Sequence, residues 1–198
     1  MKVLYFFISH PAEGFQSFNI HIMEFLRSAN KLPDVQVIPG SPIIKTNREL
    51  GMELKFFHAF KNSIPRAIKD ILSILYNFNS LVKAIRKVKS YKPDIILFRA
   101  NHNNFYNVLI QKLYKIPLVL EVNSPQTYER IKYNQVYFKK TSLLIEKWGW
   151  NNADAIYTVS ENQKNMIADY GVPKEKIHAI HNGVNLELYK HPSSSIKN

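Results

Sequence analysis

Short apolar runs recur along this chain and alternate with longer segments of helical periodicity. The runs "VLYFF", "IILF", "PLVL" and "AIYTV" are bounded by polar residues or by proline. Apolar runs of about four to eight residues are typical of strands that are covered on both faces, because such strands need no polar alternation. Their alternation with helices from end to end predicts an α/β fold built on a doubly wound parallel sheet.

The boundaries of the elements follow from the same periodicities and from the Pro and Gly residues between them. Strands are predicted at 2–9, 34–38, 95–98, 116–124, 153–160 and 177–181. Helices are predicted at 14–30, 64–89, 103–114, 127–152 and 160–169, the last with Ser160 as its N-cap. We interpret the N-terminal "MKVLYFF" as a buried strand. The alternative is a short signal peptide, but no small-residue cleavage site follows it.

The longest predicted helix, 64–89, carries one apolar stripe with spacings of three and four. Its members are Ile64, Ile68, Ile71, Leu75, Phe78, Val82 and Ile85. We predict that this stripe packs against the sheet. The alternative is a membrane surface, because Lys and Arg residues surround the stripe and Phe56, Phe57 and Phe60 precede it. A second aromatic cluster is also predicted to be core: Tyr133, Tyr137, Phe138, Trp148 and Trp150.

Composition narrows the class of protein. The 198 residues suit one domain, and there is no cysteine for a disulfide or a thiolate site. Seven scattered His residues predict no metal site, and no Walker-type loop is present. The net charge of +12 predicts a polyanionic neighbour, such as an anionic membrane or a phosphorylated substrate, unless it is a general compositional bias. No motif of an RNA-binding sheet is visible, so nucleic acid is not expected.

Polar residues follow each predicted strand, at the edge where ligands bind in parallel sheets. They are Ser9 and His10; Arg99, Asn101 and His102; Glu121, Asn123 and Ser124; Ser160 and Glu161; and Asn182, Gly183 and Asn185. Glu121 is the most informative of them, because a carboxylate that ends a buried strand is costly unless it is paired or used. It is predicted to orient a hydroxyl or to act as a base. The alternative is a salt bridge with Arg99.

The other candidates have weaker chemical reasons. Arg99 suits a phosphate or carboxylate, because a guanidinium binds either in a bidentate manner. Gly14 lies where a helix N-terminus could present amides to a phosphate. Ser160 with Glu161 suits a helix cap as well as a ligand contact. The remaining candidates for substrate contact are His10, Asn101, His102, Glu129, Asn182 and Gly183, of which the last two are predicted to form a turn with positive φ.

The segment "ADAIYTVSENQKNMIADYGVPKEKIHAIHNGVNLELY" resembles the N-terminal domain of the family-four retaining glycosyltransferases. The shared pattern is Ala-Asp, an apolar strand, Val-Ser, a helix, Gly-Val-Pro, Lys-Ile, a second apolar strand and Asn-Gly-Val. "YKPDIILFRA" and "KIPLVLEVNSP" are similar to the middle strands of the same family. The resemblance is specific from about residue 93 to residue 189.

This resemblance implies one half of a GT-B enzyme, in which two Rossmann-like domains face each other across a cleft. Residues 1–190 would be the N-terminal, acceptor-side domain, and 191–198 a disordered tail or the start of a linker. The donor domain, with the family's paired glutamates, would be a missing partner. The implied reaction transfers a sugar from a nucleotide-sugar donor, which is a substrate rather than a cofactor, to a hydroxyl acceptor in polysaccharide or glycolipid synthesis. The implied location is the cytoplasm, at the inner face of the membrane where the acceptor is lipid-linked.

The chain departs from the family pattern at two places. Asn123 aligns with a His that contacts the donor sugar in relatives, so Glu121 and Asn123 are assigned together as a variant catalytic pair. The first loop has Gly14 alone where relatives often have two glycines near the donor phosphates. Two other functions stay open: a GT-B sugar-nucleotide epimerase, and a non-catalytic basic module that binds anionic membrane or nucleic acid.

Overall fold

The strands that the structure describes lie in a single parallel sheet. The structure is a computed structural model that describes residues 1–7, 12–41 and 64–183, with the backbone alone for 12–19. The strands in this part of the chain are β1 (Lys2–Phe6), β2 (Gln36–Pro39), β3 (Ile95–Arg99), β4 (Leu118–Val122), β5 (Ala155–Thr158) and β6 (Ile177–Ala179). Their order across the sheet is β2-β1-β3-β4-β5-β6, and every neighbouring pair is parallel. The predicted α/β class is confirmed.

Helices cover both faces of the sheet, as predicted for a doubly wound fold. In the described residues they are α1 (Ala12–Ala29), α2 (Arg66–Tyr91), α3 (Tyr106–Tyr114), α4 (Gln126–Lys132), α5 (Lys139–Asn152) and α6 (Glu161–Asp169), followed by a 3-10 turn at Lys174–Lys176. On one face Val3, Tyr5 and Leu97 pack against α1. On the other face Phe98 and Leu120 belong to a larger core with residues of α2, α3, α5 and α6. Adjacent strand residues therefore serve different cores, which is why the strands are apolar throughout.

Two aspartates hold the starts of neighbouring strands in register. The Asp94 carboxylate accepts a 2.6 Å hydrogen bond from the Lys2 amide of β1. The Asp154 carboxylate accepts a 2.8 Å bond from the Leu118 amide of β4. Both bonds satisfy amides at strand ends that the sheet ladder leaves open. The Ala-Asp pair in the resemblance is thus a structural feature at the edge of the sheet opposite to the predicted site.

Most of the apolar stripe of the long helix does not pack on the core as predicted, although Ile85 at its end does. The buried residues of α2 are Asp70, Asn77, Ala84 and Val88, which recur on the opposite side of the helix. Five members of the stripe are instead between 47% and 56% exposed: Ile68, Ile71, Leu75, Phe78 and Val82. The prediction failed because helical periodicity identifies an apolar side without saying what that side faces.

The residues of the second aromatic cluster are split between the core and the surface. Trp150 is buried as predicted, whereas Tyr133, Tyr137 and Phe138 are exposed. The predicted helix 127–152 is interrupted between α4 and α5, and this break carries the exposed aromatics to the surface. The core prediction was therefore wrong for these three residues.

Replacing Gly40 with alanine is expected to lower the free energy of unfolding by about 1–3 kcal/mol. A Cβ at this position would lie 2.6 Å from Cδ1 of Phe6 and 2.7 Å from its Cε1. The Phe6 ring cannot move away easily, because it stacks on Phe98 with 4.6 Å between ring centroids. Thermal or urea unfolding measures the effect. Gly183→Ala is the matched control, since its Cβ would meet nothing within 4 Å; equal stability of the two variants would contradict the clash.

Candidate active site

Glu121 is the centre of a hydrogen-bonded group at the carboxyl edge of the sheet. It pairs with Arg99 of β3 and with Tyr157 of β5 in the strand registers, so the three side chains project from one face. The Arg99 Nη1 lies 3.3 Å from Glu121 Oε1, and the two side chains are only 10% and 9% exposed. The predicted alternative of an ion pair between these residues is therefore confirmed.

Two further groups donate hydrogen bonds to the same carboxylate, and a third lies beside it. The Asn123 Nδ2 donates a 2.7 Å hydrogen bond to Glu121 Oε1. The Tyr5 hydroxyl, from β1, donates to Glu121 Oε2. Tyr157 lies opposite Glu121 in the strand register, and the charge of Glu121 raises its pKa. A buried carboxylate needs such partners because an unpaired charge in the interior is very costly.

The two tyrosines remain protonated donors at every physiological pH. Burial raises the pKa of both Tyr5 and Tyr157, and the negative charge of Glu121 raises each further. The positive charge of Arg99 opposes this shift but does not reverse it. Glu121 is therefore surrounded by hydrogen-bond donors, and both of its oxygens are occupied. A carboxylate in this state is suited to orienting its neighbours rather than to taking a proton from a substrate.

A second polar group begins within the loop that follows β3. The buried His102 is anchored by its amide, which donates to Asn101 Oδ1 at 2.9 Å and to Gln126 Oε1 at 3.2 Å. Its Nδ1 lies 3.4 Å from Thr127 Oγ1. The Thr127 amide in turn donates to Glu146 Oε1 at 3.3 Å. His102, Thr127 and Glu146 thus form a chain that links the β3 loop to α4 and α5.

Burial moves the two titratable ends of this chain in opposite directions. Burial lowers the pKa of His102 to about 4, and the positive charge of Arg130 adds to the shift while Asp70 opposes it. Burial also raises the pKa of Glu146 to about 7, although its hydrogen bonds with Thr127 act against the shift. At neutral pH His102 is a neutral imidazole, which makes it a hydrogen-bonding group rather than a cation.

The remaining predicted site residues do not join either group. Ser160 is the N-cap of α6 and accepts a 3.3 Å hydrogen bond from the Gln163 amide, as a structural cap does. Glu129 is exposed in the first turn of α4. Asn182 and Gly183 are exposed after β6, and neither has the positive φ that was predicted for them. Five described residues in other loops and at helix ends have positive φ: Lys92, Asn103, Lys115, Asn134 and Gly171.

Two candidates from the first loop stand apart. His10 lies outside the described residues. The backbone of Gly14 is within the first turn of α1. The contact of Gly14 with a phosphate stays a prediction. The same holds for substrate contact by Asn101 and by the other candidate residues.

Sequence reasoning missed Tyr5, Tyr157, Thr127 and Glu146. Tyr5 and Tyr157 sit inside apolar runs and carry no polar signal of their own. Both share a face with Glu121 only because of strand pairing between distant segments. In the described ranges, no group of three or more His, Cys, Asp and Glu residues could hold a metal ion. None of the described helices has both the length and the apolar character that crossing a bilayer requires.

The sequence and the fold were compared with known proteins. The family model described as Glycosyltransferase Family 4 matches residues 19–188. A search of curated protein sequences found no match.

Several solved structures share the fold at low identity. The UDP-GlcNAc 2-epimerase from Neisseria meningitidis bound to UDP-GlcNAc matches with a TM-score of 0.57 and 16% identity, over 90% of this chain and 45% of that one. The Anabaena protein Alr3699/HepE in complex with UDP matches with a TM-score of 0.53 and 18% identity, over 98% and 47%. The UDP-GlcNAc 2-epimerase from Methanocaldococcus jannaschii matches with a TM-score of 0.56 and 12% identity, over 92% and 46%. The chain spans less than half the length of each of these proteins.

Proposed function

Since the chain belongs to glycosyltransferase family 4, we propose that it is the acceptor-binding half of a retaining GT-B transferase. The intact enzyme transfers a sugar from a nucleotide-sugar donor to an acceptor hydroxyl in the synthesis of a polysaccharide or glycolipid. The observation that carries this proposal is the buried group at the carboxyl edge of the sheet, where Arg99, Asn123 and Glu121 meet. Parallel sheets bind their ligands at this edge.

Within this group we assign substrate contact to Asn123. Its amide nitrogen is bound to Glu121, which fixes the plane of the amide and leaves the Oδ1 as the remaining acceptor. An acceptor hydroxyl that donates to Oδ1 would be held in one orientation, and orientation is a large part of the rate enhancement of group transfer. Glu121 and Arg99 act as positioning residues, because their charges are paired with each other in the buried group.

The donor is assigned to a second Rossmann-like domain that closes the cleft. The nucleotide sugar is then a substrate, and no resident cofactor is part of the proposal. We place the enzyme in the cytoplasm, where nucleotide sugars are the available donors for such a transfer. Retention of configuration requires no base on the opposite face of the sugar. The mechanism is therefore compatible with a Glu121 carboxylate that is paired with Arg99 and takes no proton.

The 198-residue chain alone is expected to show no detectable turnover of UDP-glucose, UDP-GlcNAc or GDP-mannose. The reason is that the donor diphosphate would be held by the second domain. A coupled assay of nucleotide release measures this, with octyl glucosides as acceptors. Robust nucleotide release by the isolated chain would contradict the assignment of donor binding to a second domain.

Acceptor binding by the isolated chain provides the positive test. Saturation-transfer NMR with octyl glucoside and octyl mannoside, each below its micelle concentration, is expected to detect weak binding. Asn123→Ala should weaken it about tenfold, because a hydrogen bond that orients the ligand is lost. Glu175→Ala, which changes an exposed residue of the 3-10 turn before β6, is the control and should bind as the unmodified chain does. Conversion of UDP-GlcNAc to UDP-ManNAc, visible in the anomeric proton spectrum, would instead support the epimerase function.

A further inference from the structure

The outer side of α2 is apolar where a water-facing helix is normally polar. We define the α2 stripe as Ile68, Ile71, Leu75, Phe78 and Val82, all of which are about half exposed. The inner side of the helix carries Asp70 and Asn77, both of which are buried. The usual arrangement of a surface helix, with apolar residues inward and polar residues outward, is thus inverted over its first four turns.

The buried polar residues of α2 are satisfied, so this inversion is a stable feature of the fold. The Asp70 carboxylate accepts hydrogen bonds of 2.8 and 2.9 Å from the amides of Tyr137 and Phe138. The Asn77 side chain donates a 2.8 Å bond to the Ser73 carbonyl of the preceding turn. Asp70 therefore fixes the rotation of the helix about its axis, because turning the stripe inward would take the carboxylate away from two amides.

Cations continue the line of the α2 stripe toward the end of the helix. Ile68, Leu75, Val82 and Lys89 are spaced by seven residues, a spacing that places them on one side. Lys83 and Arg86 are exposed in the same last turns. With a rise of 1.5 Å per residue, the apolar part is about 21 Å long, and the cationic part follows directly. Asp70 is the single carboxylate in α2, and it faces inward, so the helix itself places no acidic side chain beside these cations.

We propose that the α2 stripe docks onto the surface of an anionic phospholipid bilayer. The apolar residues enter the boundary between headgroups and acyl chains, while Lys83, Arg86 and Lys89 contact lipid phosphates. An amphipathic helix that lies in the plane of a membrane has this combination of apolar side chains and flanking cations. A protein partner would explain the stripe, but the run of exposed cations at the end of α2 favours an anionic surface of wide extent. The bilayer is thus chosen as the partner because its anionic phosphates complement the cations of α2.

The test is co-sedimentation of the 198-residue chain with vesicles of phosphatidylcholine alone and of phosphatidylcholine mixed with phosphatidylglycerol. Binding is expected to the mixed vesicles and to fall with added salt. Ile71→Ser combined with Leu75→Ser should reduce partitioning at least about tenfold, because two apolar side chains no longer leave water. Lys83→Gln combined with Lys89→Gln should reduce it about twentyfold, as expected for the loss of two cations near an anionic surface.

Leu144→Ser is the matched control, since Leu144 is an exposed leucine on α5, and it should bind vesicles as the unmodified chain does. An equal loss of binding in this control would overturn the assignment to α2. So would binding that depends on the cations but not on Ile71 and Leu75.

Two further measurements distinguish other occupants of the stripe. A dimer in light scattering that dissociates in the Ile71→Ser and Leu75→Ser variant would assign the stripe to a second copy of the chain. A fall in melting temperature in the same variant would mean that another part of the chain covers it. Either result overturns membrane docking. Because the readout is vesicle binding, its failure would leave the proposed transferase function standing.

Discussion

Replacing Glu121 with alanine is expected to lower the free energy of unfolding by about 3–5 kcal/mol. The substitution removes the acceptor of the Tyr5 hydroxyl and the Asn123 amide, and it leaves the Arg99 guanidinium without the partner at 3.3 Å. The main costs are the loss of a buried ion-pair contact and of the acceptor for two buried donors. Urea unfolding of the two proteins at neutral pH measures the difference.

Two companion variants separate charge from shape at this position. Glu121→Gln retains the size of the side chain and one acceptor oxygen, so its loss should be smaller, about 1–3 kcal/mol. Glu175→Ala removes an exposed carboxylate from the 3-10 turn and should change stability by less than about 0.5 kcal/mol. A loss of less than about 1 kcal/mol in the free energy of unfolding of Glu121→Ala would contradict a stabilising buried ion pair between Arg99 and Glu121.

Glu146 and His102 are expected to make opposite contributions to the pH dependence of stability. These contributions largely cancel in the unmodified chain and become visible when either residue is replaced. The pKa of Glu146 rises from 4.5 to about 7 on folding, so the folded state holds an extra proton and stability falls as pH rises between these values. The pKa of His102 falls from 6.5 to about 4, so the unfolded state holds the extra proton and stability rises with pH over that window. The two slopes oppose each other between about pH 4.5 and 6.5.

Relative to the unmodified chain, each single variant should therefore lose the slope of the residue that was removed. In Glu146→Gln, stability relative to the unmodified chain should rise by about 2 kcal/mol between pH 4.5 and 7. In His102→Asn, stability relative to the unmodified chain should fall by about 2 kcal/mol between pH 4 and 6.5. Denaturant unfolding over this pH range gives all three curves, and the other titrating groups cancel in the differences. Parallel curves for the three proteins would contradict the shifts.

Much of the site followed from sequence because parallel strands end at a common edge. Arg99, Glu121 and Asn123 could be chosen as neighbours from their positions after two buried runs, and the ion pair between Arg99 and Glu121 was among the predicted alternatives. Tyr5 and Tyr157 could not be chosen, since each looks like one more apolar residue in a strand. The His102 group was equally hidden, because it joins a loop to two helices that periodicity cannot place relative to each other.

The sequence by itself determined the α/β class, the alternation of its elements and the membership of a glycosyltransferase family. These depend on local periodicity, on turn residues and on motifs that are read along the chain. The tertiary structure alone decided which side of α2 faces outward and which side chains surround Glu121. Both outcomes depend on contacts between segments far apart in sequence: two amides of the α4–α5 connection fix Asp70, and strand register brings Tyr5 and Tyr157 to one carboxylate.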